Sequence, residues 1–265
     1  MTEKLAVLIG GGQGGARSLR AAIEKEGFPA QFVSPQWPRD HYVYADGNYV
    51  RRGYWKNGLE NHFGDGGYVH IGDGYVLCGT GLSDIVPETQ AFAGDMISWL
   101  SPEKHHAAKT ALIAECQKHY PASKVHVIPS GMANGRGHNH LDMSVMLLPT
   151  NRLLIVDTHY GILASRGNEV DAVANQEELK CIRYDGSQDG VWYPLNVLAF
   201  PSEKGDIVFI DSQSKSLARL LEKEGVKCIP VEIPQHTYPA GKIHCMTNVL
   251  PVKDLVRKND LLAPF

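Results

Sequence analysis

The sequence predicts an α/β fold in which about five strand–strand–helix–strand modules form a ring. Apolar runs joined by short turn sequences recur along the chain, as expected for β-hairpins. Segments with helical spacing follow several of these hairpins, and each such segment leads into another apolar strand. The unit recurs with a period of roughly 50 residues, which is typical of propellers and arrays.

Four hairpins are predicted from turn residues that lie between apolar runs. Asp46-Gly47 and Gly72-Asp73-Gly74 are strong examples, because Asp and Gly adopt the positive φ angles that tight hairpin turns require. The predicted hairpins cover residues 41–51, 68–78, 143–156 and 197–210.

Three helices are predicted from apolar residues that recur on one helical face. They lie around residues 19–23, 108–115 and 217–221, and the strands AQFV, VHVIP and CIPVEI follow them. The expected helix starts are Ser18, Ser101-Pro102 and Ser214, and the expected stops include Gly27 and Gly225.

The two ends of the chain are predicted to share one module. The module that opens at Cys245 lacks a helix before Phe265, and the N-terminal strand KLAVLIG, its helix and AQFV would complete it. The module near Asp40 is poor in helical pattern. Because no Pro/Gly/Ser-rich linker interrupts the chain, we expect one domain over residues 1–265.

Composition narrows the classes of function. The chain has 265 residues, 43% of them hydrophobic, and a net charge of −3, which gives no broad footprint for nucleic acid or anionic membrane. No apolar run is long enough to span a membrane. Five cysteines without a CxxC pair favour a reduced, cytoplasmic protein. Four of them lie in apolar patterns and are predicted to be small buried side chains: Cys78, Cys116, Cys181 and Cys228.

The residues that open the hairpins carry the candidate chemistry, since in a ring they face the axis at one end. This alignment gathers three acids, a histidine and a thiol. A cysteine near a histidine forms a nucleophile–base pair, and the acids suit a small cation. The segments are Trp37-Pro-Arg-Asp40, Gly64-Asp65-Gly-Gly67, His138-Asn-His140-Leu-Asp142, Asn196 and His244-Cys245.

The motifs WPRD, GDGG, HLD and GKIHCMT, in this order, resemble the signature of the guanidino-group modifying enzymes, the pentein superfamily. Agmatine deiminases carry W-x-R-D, E-G-G, H-x-D and a late G-x-x-H-C-x-T. The resemblance covers Trp37 to Pro251. It implies a five-bladed α/β propeller of ββαβ modules around a pseudo-fivefold axis. It also implies a hydrolase of the deiminase or amidinohydrolase type that acts on arginine or a related small guanidino compound, without cofactor or metal.

The resemblance also implies a role for each matched residue. Cys245 would attack the guanidinium carbon and form a covalent thiouronium. His140 would protonate the leaving nitrogen and then activate water, with Asp65 close to it. Asp40 and Asp142 would hold the guanidinium nitrogens through charge-assisted hydrogen bonds.

Departures from the deiminase pattern leave the substrate open. Asp65 is shorter than the glutamate of deiminases and matches amidinotransferases, which remain an alternative. His41-Tyr42 follows Asp40 where deiminases often have Gly-Pro, and the chain is nearer in size to dimethylarginine hydrolases. Arg136 is a candidate for binding a substrate carboxylate, or else a solvated loop residue. A homo-oligomer is compatible with these patterns.

Three further alternatives stay open. The loop Gly10–Gly15 after a strand suggests a nicotinamide- or flavin-dependent oxidoreductase, although no ribose-binding acid ends the next strand. His138-x-His140-x-Asp142 suggests a metal-dependent hydrolase, although Met143 occupies the next ligand position. A non-enzymatic ring, like the ribosome anti-association factor of this fold, would leave the aligned Cys, His and acids unexplained.

Overall fold

The computed structural model describes residues 4–11, 14–54, 60–80, 82, 102–130, 140–160, 168–202, 204–234 and 242–263. The strands are β1 (Leu5–Gly10), β2 (Ala30–Val33), β3 (Tyr42–Ala45), β4 (Asn48–Arg51), β5 (Gly53–Tyr54), β6 (Glu60–Asn61), β7 (Val69–Ile71), β8 (Tyr75–Gly79), β9 (Lys124–Ile128), β10 (Val145–Leu148), β11 (Leu153–Asp157), β12 (Lys180–Tyr184), β13 (Leu198–Phe200), β14 (Ile207–Asp211), β15 (Lys227–Val231) and β16 (Thr247–Pro251). The α-helices are α1 (Ala16–Lys25), α2 (Pro102–His119), α3 (Glu169–Gln176), α4 (Lys215–Lys223) and α5 (Lys258–Leu261). Short 3-10 helices cover Pro38–His41, His62–Gly64, Leu141–Met143 and Val252–Arg257.

Four small sheets repeat one arrangement. Their strand orders are β7-β8-β9, β10-β11-β12, β13-β14-β15 and β16-β1-β2. In each sheet the first two strands are antiparallel and the third is parallel to the second, after a crossover through α2, α3, α4 or α1. The predicted strand–strand–helix–strand unit is therefore confirmed, in a mixed α/β fold.

The sheet that contains β1 joins the two ends of the chain. Leu8 of β1 lies opposite Asn248 of β16 in an antiparallel pair and beside Gln31 of β2 in a parallel pair. The N-terminal segment thus completes the last module, as predicted. A doubly wound parallel sheet, which the dinucleotide-binding alternative requires, would not place an antiparallel strand next to β1.

The unit that begins near Asp40 is the simplest. Within the described residues, β3 and β4 form a two-stranded hairpin. Asp46 and Gly47 in its turn have φ angles of 51° and 78°, as a type I′ turn requires. A second two-stranded sheet, β5–β6, follows it.

The three predicted helices are confirmed as α1, α2 and α4. Helix α1 begins at Ala16 rather than at Ser18, whereas Ser214 is the N-cap of α4 as expected. Helix α3 was not predicted, although its buried residues Val170, Val173 and Ala174 have helical spacing.

The core lies between the small sheets and their helices. On α1, Leu19 and Ile23 are fully buried against Val7 and Ile9 of β1. Cys78 and Cys116 are buried as predicted, but Cys181 and Cys228 are half-buried on β12 and β15, the outer strands of their sheets. Among the described helices, none is long and apolar enough to cross a membrane.

Candidate active site

Five polar side chains occupy equivalent positions, each shortly before the first strand of an antiparallel pair. Four of these pairs are hairpins, and the fifth is formed by β16 and β1. Asp40 and Asp142 lie in the 3-10 helices that lead into β3 and β10. Asp65 follows the 3-10 helix before β7. Asn196 lies two residues before β13, and Cys245 lies two residues before β16. The fold therefore brings residues far apart in sequence to one place.

Three of these side chains, Asp40, Asp65 and Cys245, line a cavity of about 300 Å³. Its lining combines acids, bases, aromatic rings and a thiol, and the lining residues are Trp37, Asp40, Arg52, His62, Asp65, Tyr68, His140 and Cys245. Asp142 contacts the lining residue Cys245 but is not itself among the lining residues. Arg136 and His138 lie outside the described residues.

Cys245 is 2% exposed and its sulfur contacts two polar groups. The thiol donates a hydrogen bond to Asp142 Oδ2 at 3.2 Å, and Asn196 Nδ2 donates to the sulfur at 3.1 Å. His244 Nδ1 donates to the same Asp142 oxygen at 2.7 Å. The nucleophile candidate is thus held by groups from three modules.

His140 lies between the thiol and Asp65. Its Nε2 is 3.7 Å from Asp65 Oδ2, and its ring packs edge-on against Tyr68 with centroids 4.5 Å apart. Gly67 makes this close packing possible, because a Cβ there would lie 2.2 Å from His140 Nδ1. The backbone N–H of Gly67 also donates to Asp65 Oδ1 at 2.9 Å, so the GDGG motif positions both the acid and the base.

Two buried carboxylate oxygens of the cluster have no protein donor among the described residues. Asp40 Oδ1 and Asp142 Oδ1 are buried and accept no hydrogen bond from the described residues. A buried carboxylate oxygen of this kind is costly unless a donor reaches it. Asp40 lines the cavity, so it can accept a hydrogen bond from a donor that enters there.

Electrostatics give the two acids different protonation behaviour. Burial, and then the neighbouring Asp65 carboxylate, raise the pKa of Asp40 to about 8. Burial also disfavours the charged form of Asp142, but the hydrogen bond from His244 and the nearby histidines outweigh it and lower the pKa of Asp142 to about 2. The cluster thus combines one firmly ionised acid, Asp142, with one acid, Asp40, whose pKa is about 8.

The pKa values of the thiol and the imidazole both rise above their ordinary values. Burial, followed by the carboxylates of Asp142 and Asp40, raises the pKa of the Cys245 thiol. Burial alone would lower the pKa of His140, but Asp65 and the other carboxylates outweigh it and raise that pKa. Without a cation in the cavity, the thiol is therefore protonated and the imidazolium is favoured.

Two overlapping groups of side chains have a spacing that suits a metal ion. The donor atoms of His140, Asp142 and Cys245 lie within 4.8 Å of one another, and so do those of Asp40, Asp65 and His140. Each group shares members with the thiol–imidazole–carboxylate cluster, so an ion there would compete with a cationic substrate. The ligand set His138, His140 and Asp142 falls partly outside the described residues.

Three polar residues near the cavity were not given a role from the sequence. Arg52, which directly follows β4, lies with Nη1 3.4 Å from Asp65 Oδ2. Asn196 and His244 stood among the hairpin-opening residues, but their contacts with Cys245 and Asp142 depend on three-dimensional packing. The position of Asn196 before β13 was the signal that singled it out.

No family model matches the chain, and no curated protein matches it either. Solved structures do match over most of its length. The N-terminal domain of ArgZ, an arginine dihydrolase of the ornithine-ammonia cycle in cyanobacteria, bound to its product, matches with a TM-score of 0.59 and 14% identity. This match covers 93% of the present chain and 97% of the ArgZ chain.

Two other matching structures are of proteins with different activities. SxtG, an amidinotransferase of the saxitoxin pathway of Microseira wollei, matches at a TM-score of 0.57 and 12% identity, over 90% of this chain and 80% of its own. A dimethylarginine dimethylaminohydrolase matches with a TM-score of 0.56 and 11% identity. This match covers 92% of the present chain and 99% of the other chain. The chain therefore has the mixed α/β fold of the guanidino-modifying enzymes of the pentein superfamily, the group that its sequence motifs resemble.

Proposed function

We propose that this protein is a cysteine-dependent hydrolase of the deiminase or amidinohydrolase type, acting on arginine or a related small guanidino compound. One observation carries the proposal. Asp40 lines the cavity together with Cys245 and His140, and its buried Oδ1 has no donor among the described residues. Asp142, whose buried Oδ1 also has no such donor, contacts Cys245 through its Oδ2. A planar guanidinium supplies several N–H donors and a positive charge, which is the chemistry that paired carboxylates bind best.

Substrate binding also prepares the nucleophile. Burial, and then the carboxylates beside the sulfur, hold the thiol in its protonated form, so the free protein is a weak nucleophile. A guanidinium between Asp40 and Asp142 neutralises this negative charge and lowers the pKa of Cys245. The thiol proton then leaves to solvent, and the thiolate faces the guanidinium carbon.

The proposed reaction has two halves. In the first, the sulfur electron pair of Cys245 forms a C–S bond with the guanidinium carbon and gives a neutral tetrahedral adduct. Imidazolium His140 protonates one nitrogen, and its C–N bond breaks to release ammonia or an amine, leaving a thiouronium cation. The raised pKa of His140 supports this acid role, with Asp65 Oδ2 3.7 Å from its ring stabilising the cation.

In the second half, neutral His140 takes a proton from water while the oxygen adds to the thiouronium carbon. The C–S bond then breaks, and its electron pair returns to the sulfur as thiolate. Loss of one proton from the oxygen leaves the ureido product. General acid–base catalysis of this kind contributes roughly 10²–10⁴-fold to a rate.

An amidinotransferase is the second candidate. An amine would replace water in the second half, with the same thiouronium and the same residues. Two observations support the amidinotransferase as a candidate. An aspartate, Asp65, occupies the position where deiminases carry glutamate, and the amidinotransferase SxtG is among the similar structures. The acceptor therefore has to be determined by experiment.

A second cavity offers room for the rest of the substrate. It measures about 480 Å³ and shares Trp37, Asp40 and Arg52 with the first cavity. We propose that the guanidinium occupies the first cavity while the remainder extends past Trp37 into the second. Its other lining residues are Ser34, Pro35, Gln36, His41 and Leu262.

The proposal also covers how the modules are arranged in space. Five antiparallel strand pairs each contribute one polar side chain to a single cluster, which is the arrangement expected of five blades around an axis. We propose that the β3–β4 hairpin and the four three-stranded sheets form a five-bladed α/β propeller with the cluster at one end of its axis.

A substrate panel tests the proposed function. The purified protein is incubated with arginine, agmatine, methylated arginines and small guanidines, each with and without an amine such as glycine. Ammonia, released amine, ureido product and new guanidine are measured. Ureido product without added amine supports the hydrolase, whereas a product that requires the amine supports the transferase. Silence across the whole panel contradicts both.

A further inference from the structure

Asn196 is buried at the centre of the loop that carries Cys245. It is 1% exposed, and its Oδ1 accepts three backbone hydrogen bonds. The donors are the N–H groups of Lys242 at 2.9 Å, His244 at 3.1 Å and Cys245 at 3.3 Å. Three N–H groups converge on this atom, so it must be the amide oxygen, because an amide nitrogen does not accept hydrogen bonds.

This assignment fixes the direction of the other half of the amide. The NH₂ group of Asn196 faces the sulfur of Cys245 at 3.1 Å, and its remaining acceptors are more distant. Asp142 O lies at 3.4 Å and Met143 Sδ at 3.6 Å. The amide is therefore anchored by its oxygen and presents an N–H to the atom that is proposed to react.

The environment of the sulfur makes this donor significant. Asp142 Oδ2, at 3.2 Å, is a negative neighbour that opposes a thiolate. A hydrogen bond from an N–H to an anionic sulfur is stronger than one to a neutral thiol, since it is charge-assisted. The amide N–H thus favours the thiolate over the thiol, and it does so without moving.

We propose that Asn196 is a catalytic residue, whose amide N–H stabilises the Cys245 thiolate before attack and again when the C–S bond breaks. The inference rests on the proposed function, because it assigns a role within that reaction. No proton is transferred from Asn196. Its hydrogen bond weakens when the sulfur electron pair forms the C–S bond, and strengthens when that pair returns to sulfur.

A variant that keeps the anchor and removes the donor separates this role from a structural one. Asn196→Asp retains an oxygen for the three backbone N–H groups but faces the sulfur with a second oxygen. Asn248→Asp is a matched control, since Asn248 is equally buried and its Nδ2 donates to Pro38 O and Tyr42 O instead. Folding of both variants is checked by circular dichroism and thermal melting.

The measurement is the pH dependence of Cys245 alkylation by iodoacetamide in the absence of substrate, followed by mass spectrometry of the peptide that contains Cys245. We expect Asn196→Asp to raise the apparent pKa of the thiol by at least roughly one to two units, because the variant removes the charge-assisted hydrogen bond and also adds a carboxylate beside the sulfur. Asn248→Asp should leave it unchanged. An unchanged pKa in folded Asn196→Asp overturns the inference.

A measurement on the unmodified chain covers the case in which the variant does not fold. In ¹⁵N-labelled protein, one asparagine side-chain NH₂ resonance should titrate with the alkylation pKa and stop titrating in Cys245→Ala. If no such resonance titrates, the inference is wrong. Neither readout requires turnover, so a failure of the proposed function in the substrate panel is distinguishable from a failure here.

Discussion

The thiol of Cys245 donates a hydrogen bond to Asp142 Oδ2 at 3.2 Å, and that oxygen also accepts from His244 Nδ1 at 2.7 Å. The second contact keeps Asp142 ionised, and the ionised Asp142 adds to the effect of burial, which is the larger cause of the raised pKa of the thiol. The nucleophile is therefore suppressed in part by the same carboxylate that is proposed to bind the substrate. A cationic ligand that engages Asp142 relieves this suppression.

The affinity for a guanidinium should rise with pH until the pH reaches the pKa of Asp40, about 8. Below that value Asp40 is protonated in the free protein, and a guanidinium binds its ionised form. Each pH unit below 8 therefore weakens binding by up to about tenfold, and binding releases a proton. Isothermal titration calorimetry with a non-reactive guanidine in buffers of different ionisation enthalpy measures both effects.

Asp40→Asn provides the control for this dependence. The amide keeps the shape of the side chain but removes the titrating charge, so the variant should bind weakly at every pH and show a flatter profile. An affinity that does not depend on pH in the original protein would contradict the assignment of Asp40 to the guanidinium.

Replacing His140 by Ala should slow turnover by roughly 10²–10⁴-fold, because both halves of the reaction lose their acid–base group. Substrate affinity should change much less, since the carboxylates of Asp40 and Asp142 remain. The kcat and KM values of the variant check this split. His126→Asn is a suitable control: that imidazole bonds Glu177 Oε1 at 2.6 Å and does not line the cavity. A kcat of His140→Ala close to that of the original protein would refute the acid–base role.

Gly67→Ala should impair turnover through the position of His140. The added Cβ would lie 2.2 Å from His140 Nδ1, so the ring must move away from its place beside Asp65. A displacement of this size costs roughly 10²-fold in rate, because acid–base groups act only at close range. Gly53→Ala is the matched control, since a Cβ at Gly53 meets no atom of the described residues within 4 Å. Equal activities of the two variants would show that the packing on Gly67 is unimportant.

Local sequence patterns were sufficient to predict most of the fold. The Asp46-Gly47 turn, the apolar runs of β10 and β11, and the spacing on α4 each depend on neighbouring residues alone. Helix α3 was missed because it is a single short segment of eight residues between a hairpin and a strand.

The candidate site could likewise be predicted only where it depends on local sequence. The positions of Asp40, Asp65 and Cys245 before their hairpins were visible in the sequence, and so was their common direction if the modules repeat. The contact of His244 with Asp142 and that of Arg52 with Asp65 were not, because each joins side chains whose distance is set by packing between modules. The three backbone donors on Asn196 Oδ1 also depend on the conformation of the loop at 242–245.

Cys245→Ser should abolish turnover and retain substrate binding. A serine hydroxyl has a far higher pKa than a thiol and no adjacent base that activates it before attack. The carboxylates of Asp40 and Asp142 are unchanged in this variant. Binding is measured by calorimetry and turnover by product release, and a variant that still turns over at the original rate would exclude a thiol nucleophile.

The most direct test of the account is to trap the covalent intermediate. The protein is mixed with a turned-over guanidine labelled with ¹³C at the guanidino carbon, quenched with acid during turnover, and digested for mass spectrometry. We predict a labelled thiouronium adduct on the peptide that contains Cys245, absent from Cys245→Ser. Complete alkylation of Cys245 with turnover unchanged, and no adduct at any quench time, would contradict the account.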